Sequence, residues 1–409
     1  MVYQPPTGAR DLFPLDVAQK QWIEERLQQV FQRWSYHQII TPTLERLETL
    51  VAGGAVEPST VVQLHDTENE VLGLRPELTA SIARAAITRM EGVSLPQRLF
   101  YSANVFRRIT QGSNHRQQEL FQSGVELLGA GGIIADGEII FLLADCLNAL
   151  GLKKWHFVLG EAKLTRSLLS PFPDAYQEKV RTAIANLDRL ALETMPLTDD
   201  LKQRALTLFD LRGTPQDVLQ RVFTLQLTPD EQAIVNNLKT LVDLLESTEH
   251  PNTKLPSFIL DLSLIRPFNY YTGIVFEVIN QTETGYDLLG QGGRYDELLA
   301  TYHPQGDGVP GIGFVVNMDP IQKLLGSKGH LPQSTPKSDW LVIPKSADAA
   351  AAAFTHAQRI RESTNLVRVE VAVDGHTSSV DTHTYAKICG IKQLAWIDAD
   401  GTPEIEAVT

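Results

Sequence analysis

LFYSANVFRRITQGSNHRQQELFQSGVELLG, residues Leu99 to Gly129, is the stretch from which the rest of the chain is read. Leu99 to Phe106 and Leu120 to Leu128 are apolar runs on either side of a polar segment containing Gly112, Ser113 and Asn114. That composition predicts an antiparallel β-hairpin with a long loop. Alternation along the second strand puts Phe121, Ser123, Val125 and Leu127 on one face and Gln122, Gly124 and Glu126 on the other. The second face is polar. Its amide and carboxylate, flanking a glycine, can converge on an amine-bearing ligand resting against bare backbone. The same residues also suit the solvent-facing side of an ordinary hairpin, where polar alternation is the default.

The 409 residues are enough for two or three domains, and a hydrophobic content of 43% is ample for buried cores. No stretch approaches the roughly 20 apolar residues of a membrane span, and MVYQPPTGARD lacks the pattern of a signal peptide, so no membrane association and a cytoplasmic location are expected. Cys146 and Cys389 lie far apart in apolar surroundings and are expected to be buried thiols. The net charge is -13 and no block of Lys and Arg offers a path for phosphates, so the overall field gives a nucleic-acid partner nothing.

Along the chain, turn-rich Pro5 to Asp11 leads to an amphipathic helix from about Asp16 to Trp34, with a stripe of Ile23, Leu27, Val30, Phe31 and Trp34. Tyr36 to Thr41 reads as a strand stopped by Pro42. Val61 to His65 and Val71 to Leu74 read as a second hairpin, turned at Asp66 to Glu70. Arg75-Pro76-Glu77 then starts a helix with Pro in its first turn and Glu77 at the positive end of its dipole, with Thr79 close by. A helix from Ile133 to Leu150 and a strand from Trp155 to Leu159 follow. The block from about Lys163 to Glu249 has helical periodicity and reads as an all-helical insertion. Strands resume at Phe258 to Leu262 and Ile274 to Ile279, and Gly290 to Asp296 (GQGGRYD) reads as a glycine-rich turn and helix. Gly326 to Ser338 has linker composition. Beyond it, alternating β and α patterns predict a small separate α/β domain.

Taken in order, PTGARDLFP, the helix and strand ending at Pro42, LGLRPELTA, the VFRR to FQSGVELLG hairpin, RPFNYYTGIVFEV, GQGGRYDEL and GIGF resemble a class II aminoacyl-tRNA synthetase of the histidyl type. The resemblance spans nearly the whole chain. It implies an α+β fold in which an antiparallel sheet is flanked by helices. The synthetase-like domain would cover residues 1–325, with the helical insertion at about 163–249, a linker at 326–338 and a truncated anticodon-binding-like α/β domain at 339–409. It also implies dimerisation through the first helix and the Pro42 strand, and a histidine pocket. Carried over residue by residue, that pocket comprises Glu77, Thr79, Arg107, Gln122, Glu126, Arg266, Tyr270 and Tyr271. Carboxylates would hold the ligand's ammonium, Arg its carboxylate, and Tyr with Glu its imidazole nitrogens.

The departures decide between branches of the family. The synthetase hairpin resembles FRxE followed by a loop with two arginines, whereas Ile109 stands at the Glu position and Gln118 at the second Arg position. Where the helix after GIGF should begin like GLER, the chain reads Asn317-Met318-Asp319-Pro320. Two missing phosphate-facing arginines, at about 1.5–3 kcal/mol per charge-assisted bond, remove roughly 3–6 kcal/mol of ATP binding. Pro267 and Asn269 also depart from a segment resembling RGLDYY. Residues 339–409 hold six Lys or Arg and ten Asp or Glu, a net of -4, and stop where a full anticodon-binding domain would continue, so no tRNA partner is expected.

This pattern is similar to the paralogues that keep a histidyl-synthetase body without the aminoacylation residues, the regulatory subunits of ATP phosphoribosyltransferase. The resemblance implies a non-catalytic protein that joins a short-form catalytic subunit, in a hetero-octamer, for the first step of histidine biosynthesis, with inhibition by histidine. The alternatives are a functional histidine–tRNA ligase, against which positions 109, 118 and 320 speak, and a free-standing histidine sensor. No cofactor is expected, because Gly308, Gly311 and Gly313 do not form a dinucleotide fingerprint and GxxxxGK[ST] is absent. The ten histidines show no metal-ligand spacing, and His376 and His383, with six residues between them, are expected in a polar loop, so no metal is expected.

Overall fold

The structure, a computed structural model, describes residues 3–54, 56–90, 92–108, 118–248, 258–264, 270–283, 285–373 and 379–408. It is an α+β molecule that divides into two compact units. The first comprises Met1–Leu12 with Gln19–Leu331, and the second Phe13–Ala18 with Pro332–Thr409.

The chain begins with α1 (Pro14–Arg33), started by Pro14 and by Asp16, whose carboxylate accepts the Phe13 amide at 3.0 Å. Short elements follow: β1 (His37–Gln38), β2 (Leu44–Arg46), α2 (Leu47–Val51), β3 (Val62–His65) and β4 (Val71–Leu74). Asp66 turns the β3–β4 hairpin by accepting the amides of Glu68 and Glu70, each at 2.8 Å. Then come α3 (Thr79–Arg89), β5 (Gln97–Phe106), β6 (Glu119–Leu128), α4 (Gly132–Ala149) and β7 (His156–Glu161). The helical block holds α5 (Ala162–Leu169), α6 (Asp174–Ala185), α7 (Arg189–Thr194), α8 (Asp199–Phe209), β8 (Arg212–Gly213), α9 (Pro215–Phe223) and α10 (Pro229–Ser247). Two Thr-Pro pairs start α9 and α10: the Thr214 and Thr228 hydroxyls cap the first turns, and the prolines occupy positions that need no N–H donor. The first unit closes with β9 (Phe258–Asp261), β10 (Ile274–Thr282), β11 (Gly285–Arg294), β12 (Gly311–Asn317) and α11 (Met318–Ser327).

Nine strands form one sheet in the order β1-β5-β6-β12-β11-β10-β7-β9-β8, antiparallel except for the β1–β5 and β7–β9 pairs. One face is covered by α1, α4 and the helical block through a core that includes Phe31, Phe100, Leu143, Phe276 and Phe314. The opposite face carries a second core with Leu50, Ile82, Tyr101, Val275 and Tyr295, beneath α3 and the small sheet β2-β4-β3.

Several expectations change here. The leading hairpin is real, but β6 lies between β5 and β12 and is buried along most of its length, so its polar face meets protein and not solvent. The loop residues Gly112, Ser113 and Asn114 lie outside the described residues. The α1 stripe is spent inside the chain: Ile23, Leu27, Val30 and Phe31 are fully buried, and the Phe31 ring lies 5.4 Å from Phe100 and 6.2 Å from Phe314. Residues Gly290 to Arg294 belong to β11 and not to a turn. A side chain at Gly292 would collide with the Gly313 carbonyl and the Phe276 ring, so the glycines there let neighbouring strands and rings approach. The expected helix after them is a short 3₁₀ turn at Leu299–Tyr302. Helix α3 starts at Thr79, which places Pro76 before it. The expected all-helical block contributes β8 to the sheet edge.

In the second unit, β13 (Trp340–Pro344), α12 (Ala350–Ser363), β14 (Val369–Val371), α13 (Ser379–Cys389), β15 (Gln393–Ile397) and β16 (Pro403–Ala407) make a sheet ordered β14-β13-β15-β16. Ala353 and Ala357 of α12 pack on one face and Ala386 of α13 on the other. Strand β16 escapes sequence reading because its Pro and two Glu are poor strand formers; they are tolerated on a fully exposed antiparallel edge. Cys146 is buried as expected, whereas Cys389 is only half-buried. His376 lies outside the described residues, and His383 is in α13, hydrogen-bonded to Glu406 at 2.8 Å.

Candidate functional site

A half-open cleft, enclosing about 400 Å³ of space with part of it open to solvent, lies on the α3 side of the sheet. Its floor is β6. The strand's pleat aims Gln122 and Glu126 into the cleft, and the connection from β4 into α3 brings Glu77 and Thr79 over them. Glu77 accepts the Thr79 amide at 2.6 Å and the Ala80 amide at 2.9 Å, so the start of α3 is capped by a carboxylate in the field of the helix dipole. The Thr79 hydroxyl in turn donates to Glu126 Oε1 at 2.7 Å. The Tyr295 hydroxyl donates to the other oxygen, Oε2.

Arg107, just past β5, lines the same cleft and donates from Nε to the Pro76 carbonyl at 3.0 Å. Tyr270 and Tyr271 close the opposite wall, with ring centroids 4.6 Å apart, and Tyr270 meets Tyr295 edge-on at 5.8 Å. Gln122 donates to Asn317 Oδ1 at 3.3 Å, and Asn317 donates to the Leu288 carbonyl at 3.2 Å. Seven of the eight expected residues therefore line one cleft. The eighth, Arg266, lies outside the described residues, as do Ile109, Pro267 and Asn269.

Two carboxyl groups and one guanidinium share the cleft, and burial bears on the charge of each. Burial drives the Glu126 carboxyl up to about 8, with Glu77 adding to the rise and the Tyr295 and Thr79 hydroxyls opposing it. Glu77 is also raised by burial, against the pull of the two α3 amides and Arg107. Burial pushes Arg107 below its usual value while Glu77 opposes. The Tyr101, Tyr270 and Tyr295 phenols are all raised, chiefly by burial, so they are hydrogen-bonding groups and not anions at neutral pH. A cleft in this state favours a ligand that carries a cation and several N–H donors, with Arg107 available to an anion on the same molecule.

Sequence reasoning missed Tyr101, Gln291, Tyr295 and Gly313. Gly124 does not present bare backbone to a ligand, because the Tyr101 hydroxyl lies 2.6 Å from where its Cβ would stand. Gly313 sits where any side chain would strike the Glu126 carboxylate, so the GIGF glycine keeps room for that group. The signal for Tyr295 was its place two positions after the last glycine of the run, on the alternate face from Arg294.

The start of α11 departs from the family pattern. Asn317 precedes α11, Asp319 is in its first turn paired with Arg10, and Pro320 follows. Among the described residues lining the cleft, the cation is Arg107. No group of three or more potential metal ligands is found among the described residues, and no helix there is long and apolar enough to cross a membrane.

The sequence profile described as histidyl-tRNA synthetase matches residues 8–321. A Nostoc protein named ATP phosphoribosyltransferase regulatory subunit is 57% identical over 409 residues, covering all of both chains. A Bacillus halodurans structure described as an ATP phosphoribosyltransferase regulatory subunit/histidyl-tRNA synthetase matches with a TM-score of 0.77 at 26% identity, covering 97% of each chain. The histidyl-tRNA synthetase of Nostoc shares the fold, with a TM-score of 0.75 at 19% identity over 99% of this chain and 97% of that one.

Proposed function

Because the chain belongs to the histidyl-tRNA synthetase family and, within it, to the regulatory subunits of ATP phosphoribosyltransferase, we propose that it binds free histidine and passes that signal to a catalytic partner. The supporting observation is the cleft itself, a pair of buried carboxylates tied through Thr79 and faced by Arg107. In this reading Glu77 and Glu126 meet the ligand's ammonium and imidazole donors, Gln122, Tyr270 and Tyr271 complete its polar contacts, and Arg107 meets its carboxylate together with Arg266. The partner is the short-form catalytic subunit, the reaction is the first step of histidine biosynthesis, and the assembly is a cytoplasmic hetero-octamer inhibited by histidine. The chain needs no cofactor and takes no part in tRNA charging: α11 follows Asn317 and opens with Met318, Asp319 and Pro320, and Asp319 is engaged by Arg10. Domain boundaries at 1–325, 326–338 and 339–409 go with this reading, with the last segment retained without an anticodon-reading role.

A homodimer belongs to the same proposal. With the α1 stripe already buried, its contact falls to the segment around Pro42, where Ile40 is 86% exposed and Leu44 is 48% exposed. The decisive experiment mixes the protein with a short-form catalytic subunit and measures ATP phosphoribosyltransferase activity with and without histidine. Activity that needs both chains and falls with histidine is expected; activity of the catalytic subunit indifferent to this chain would refute the reading.

A further inference from the structure

The end of β11 divides its side chains between the two faces of the nine-stranded sheet. Tyr295 turns to the cleft and donates to Glu126, while Arg294 turns to the α4 side. Arg294 is 6% exposed. Its Nε donates to Asp136 Oδ1 of α4 at 2.9 Å, Nη2 donates to the same oxygen, and Nη1 donates to Asp296 Oδ1 at 3.0 Å. Its remaining reach is to the carbonyls of Ala130 and Gly132, both at 3.4 Å. Two main-chain bonds continue the frame, Thr272 N to Arg294 O at 2.8 Å and Tyr295 N to Gly311 O at 2.7 Å, and the Asp296 amide donates to the Thr272 side-chain hydroxyl at 2.8 Å. The residues on both sides of Tyr295 are thus joined to each other through one guanidinium, which is itself anchored to a helix across the sheet.

We propose that Arg294 is a positioning residue for the cleft: from the far face of the sheet, with Asp136 and Asp296, it holds the Tyr295 hydroxyl on Glu126 and so sets how readily Glu126 presents a charged acceptor. A guanidinium suits this task because its fork engages two carboxylates and reaches two carbonyls at once, which a lysine ammonium does not reproduce. The groups facing Glu126 from its surroundings are Glu77 and Thr79 at the start of α3, Tyr101 on β5, Arg107, Tyr270 and Tyr295. Of these, Thr79 and Tyr295 hydrogen-bond it directly, and Thr79 has no link to Arg294. The inference deepens the ligand reading above, but its primary measurement needs no ligand.

The test is carboxyl 13C NMR titration of Glu126 in the full chain, with its signal assigned by E126Q, in the parent, R294K, D136N, Y295F and R294K/Y295F. Loss of the tyrosine hydrogen bond removes a group that favours the charged carboxylate, so Y295F should move the titration to higher pH. R294K and D136N should move it the same way, and R294K should add nothing to Y295F. A folded R294K that titrates like the parent, or shifts that add fully in the double variant, would overturn the proposal. If R294K does not fold, D136N carries the same two outcomes, since it leaves the guanidinium in place and alters only its anchor. Histidine titrations on the same variants separate the two ideas. A parent that ignores histidine would defeat the ligand reading while the Glu126 titration still decides the role of Arg294.

Discussion

The Thr79 hydroxyl lies 2.7 Å from Glu126 while the Thr79 amide is held at 2.6 Å by Glu77, so one residue at the start of α3 ties together the two carboxylates of the cleft. The carboxylates are 47 and two residues from it in the chain and converge only because β6 and the β4–α3 connection meet over the sheet. A pair of buried acids with one guanidinium in the same cleft is a poor resting state and a good receptor for a cation.

Replacement of Glu126 by Ala should weaken histidine binding by about 1–3 kcal/mol, roughly 5- to 150-fold, because a ligand donor is left buried without an acceptor. Titration calorimetry on the protein alone measures this, with E126Q as the control that keeps the volume. Equal affinity in parent and E126A would move the histidine site elsewhere.

Histidine binding should strengthen as pH rises from about 6.5 to 8. The Glu126 carboxyl, raised to about 8, is mostly protonated at the start of that range, and the ligand's ammonium favours its charged form. Binding near neutral pH therefore expels a proton, with a limit of about tenfold in affinity per pH unit. Calorimetry in buffers of different ionisation enthalpy reads the released proton directly, and heats independent of buffer would contradict it.

The same group imposes a sign on stability. A carboxyl whose folded value lies above its unfolded value of about 4.3 stabilises the fold while protonated, and that contribution fades as pH climbs toward about 8. E126Q should therefore gain stability relative to the parent between about pH 5 and 8, by at most about 1.4 kcal/mol per pH unit. Denaturant unfolding across that range is the check. Glu161, raised by burial to about 7, gives the same sign in both proteins and cancels in the difference.

Phe31→Ala should cost about 3–5 kcal/mol of folding stability, because its ring is fully buried between Phe100 and Phe314. Its effect should appear in the unfolding midpoint. Light scattering of folded I40D, in contrast, should report a weakened homodimer with little loss of stability; a dimer indifferent to Ile40 would place the contact elsewhere.

Pyrophosphate exchange with ATP in the presence of histidine should not exceed a no-protein control. Two absent phosphate contacts remove roughly 3–6 kcal/mol of nucleotide binding, and α11 begins with Met318, Asp319 and Pro320 in place of an arginine. Exchange above background would restore a ligase.

Periodicity and alternation were enough to find most long elements, because α1, the β5–β6 hairpin and α4 each have to bury an apolar face, and a buried face leaves its period in the sequence. The order of long motifs gave the family and seven residues of the described cleft in the same way: Gln122 and Glu126 share a strand face in any hairpin, and Glu77 lies at a helix start in either reading. What the sequence left undecided depends on neighbours far along the chain. The glycines of GQGGR look like a turn until β10 and β12 are seen to crowd them, and PEIEA looks like a tail until β15 supplies its partner. The α1 stripe shows that a surface must be covered but not whether the cover comes from the same chain. Tyr295 reaches Glu126 across 169 residues of sequence, a pairing set by strand order, and strand order is decided by the tertiary structure because no local pattern encodes which strand lies beside which.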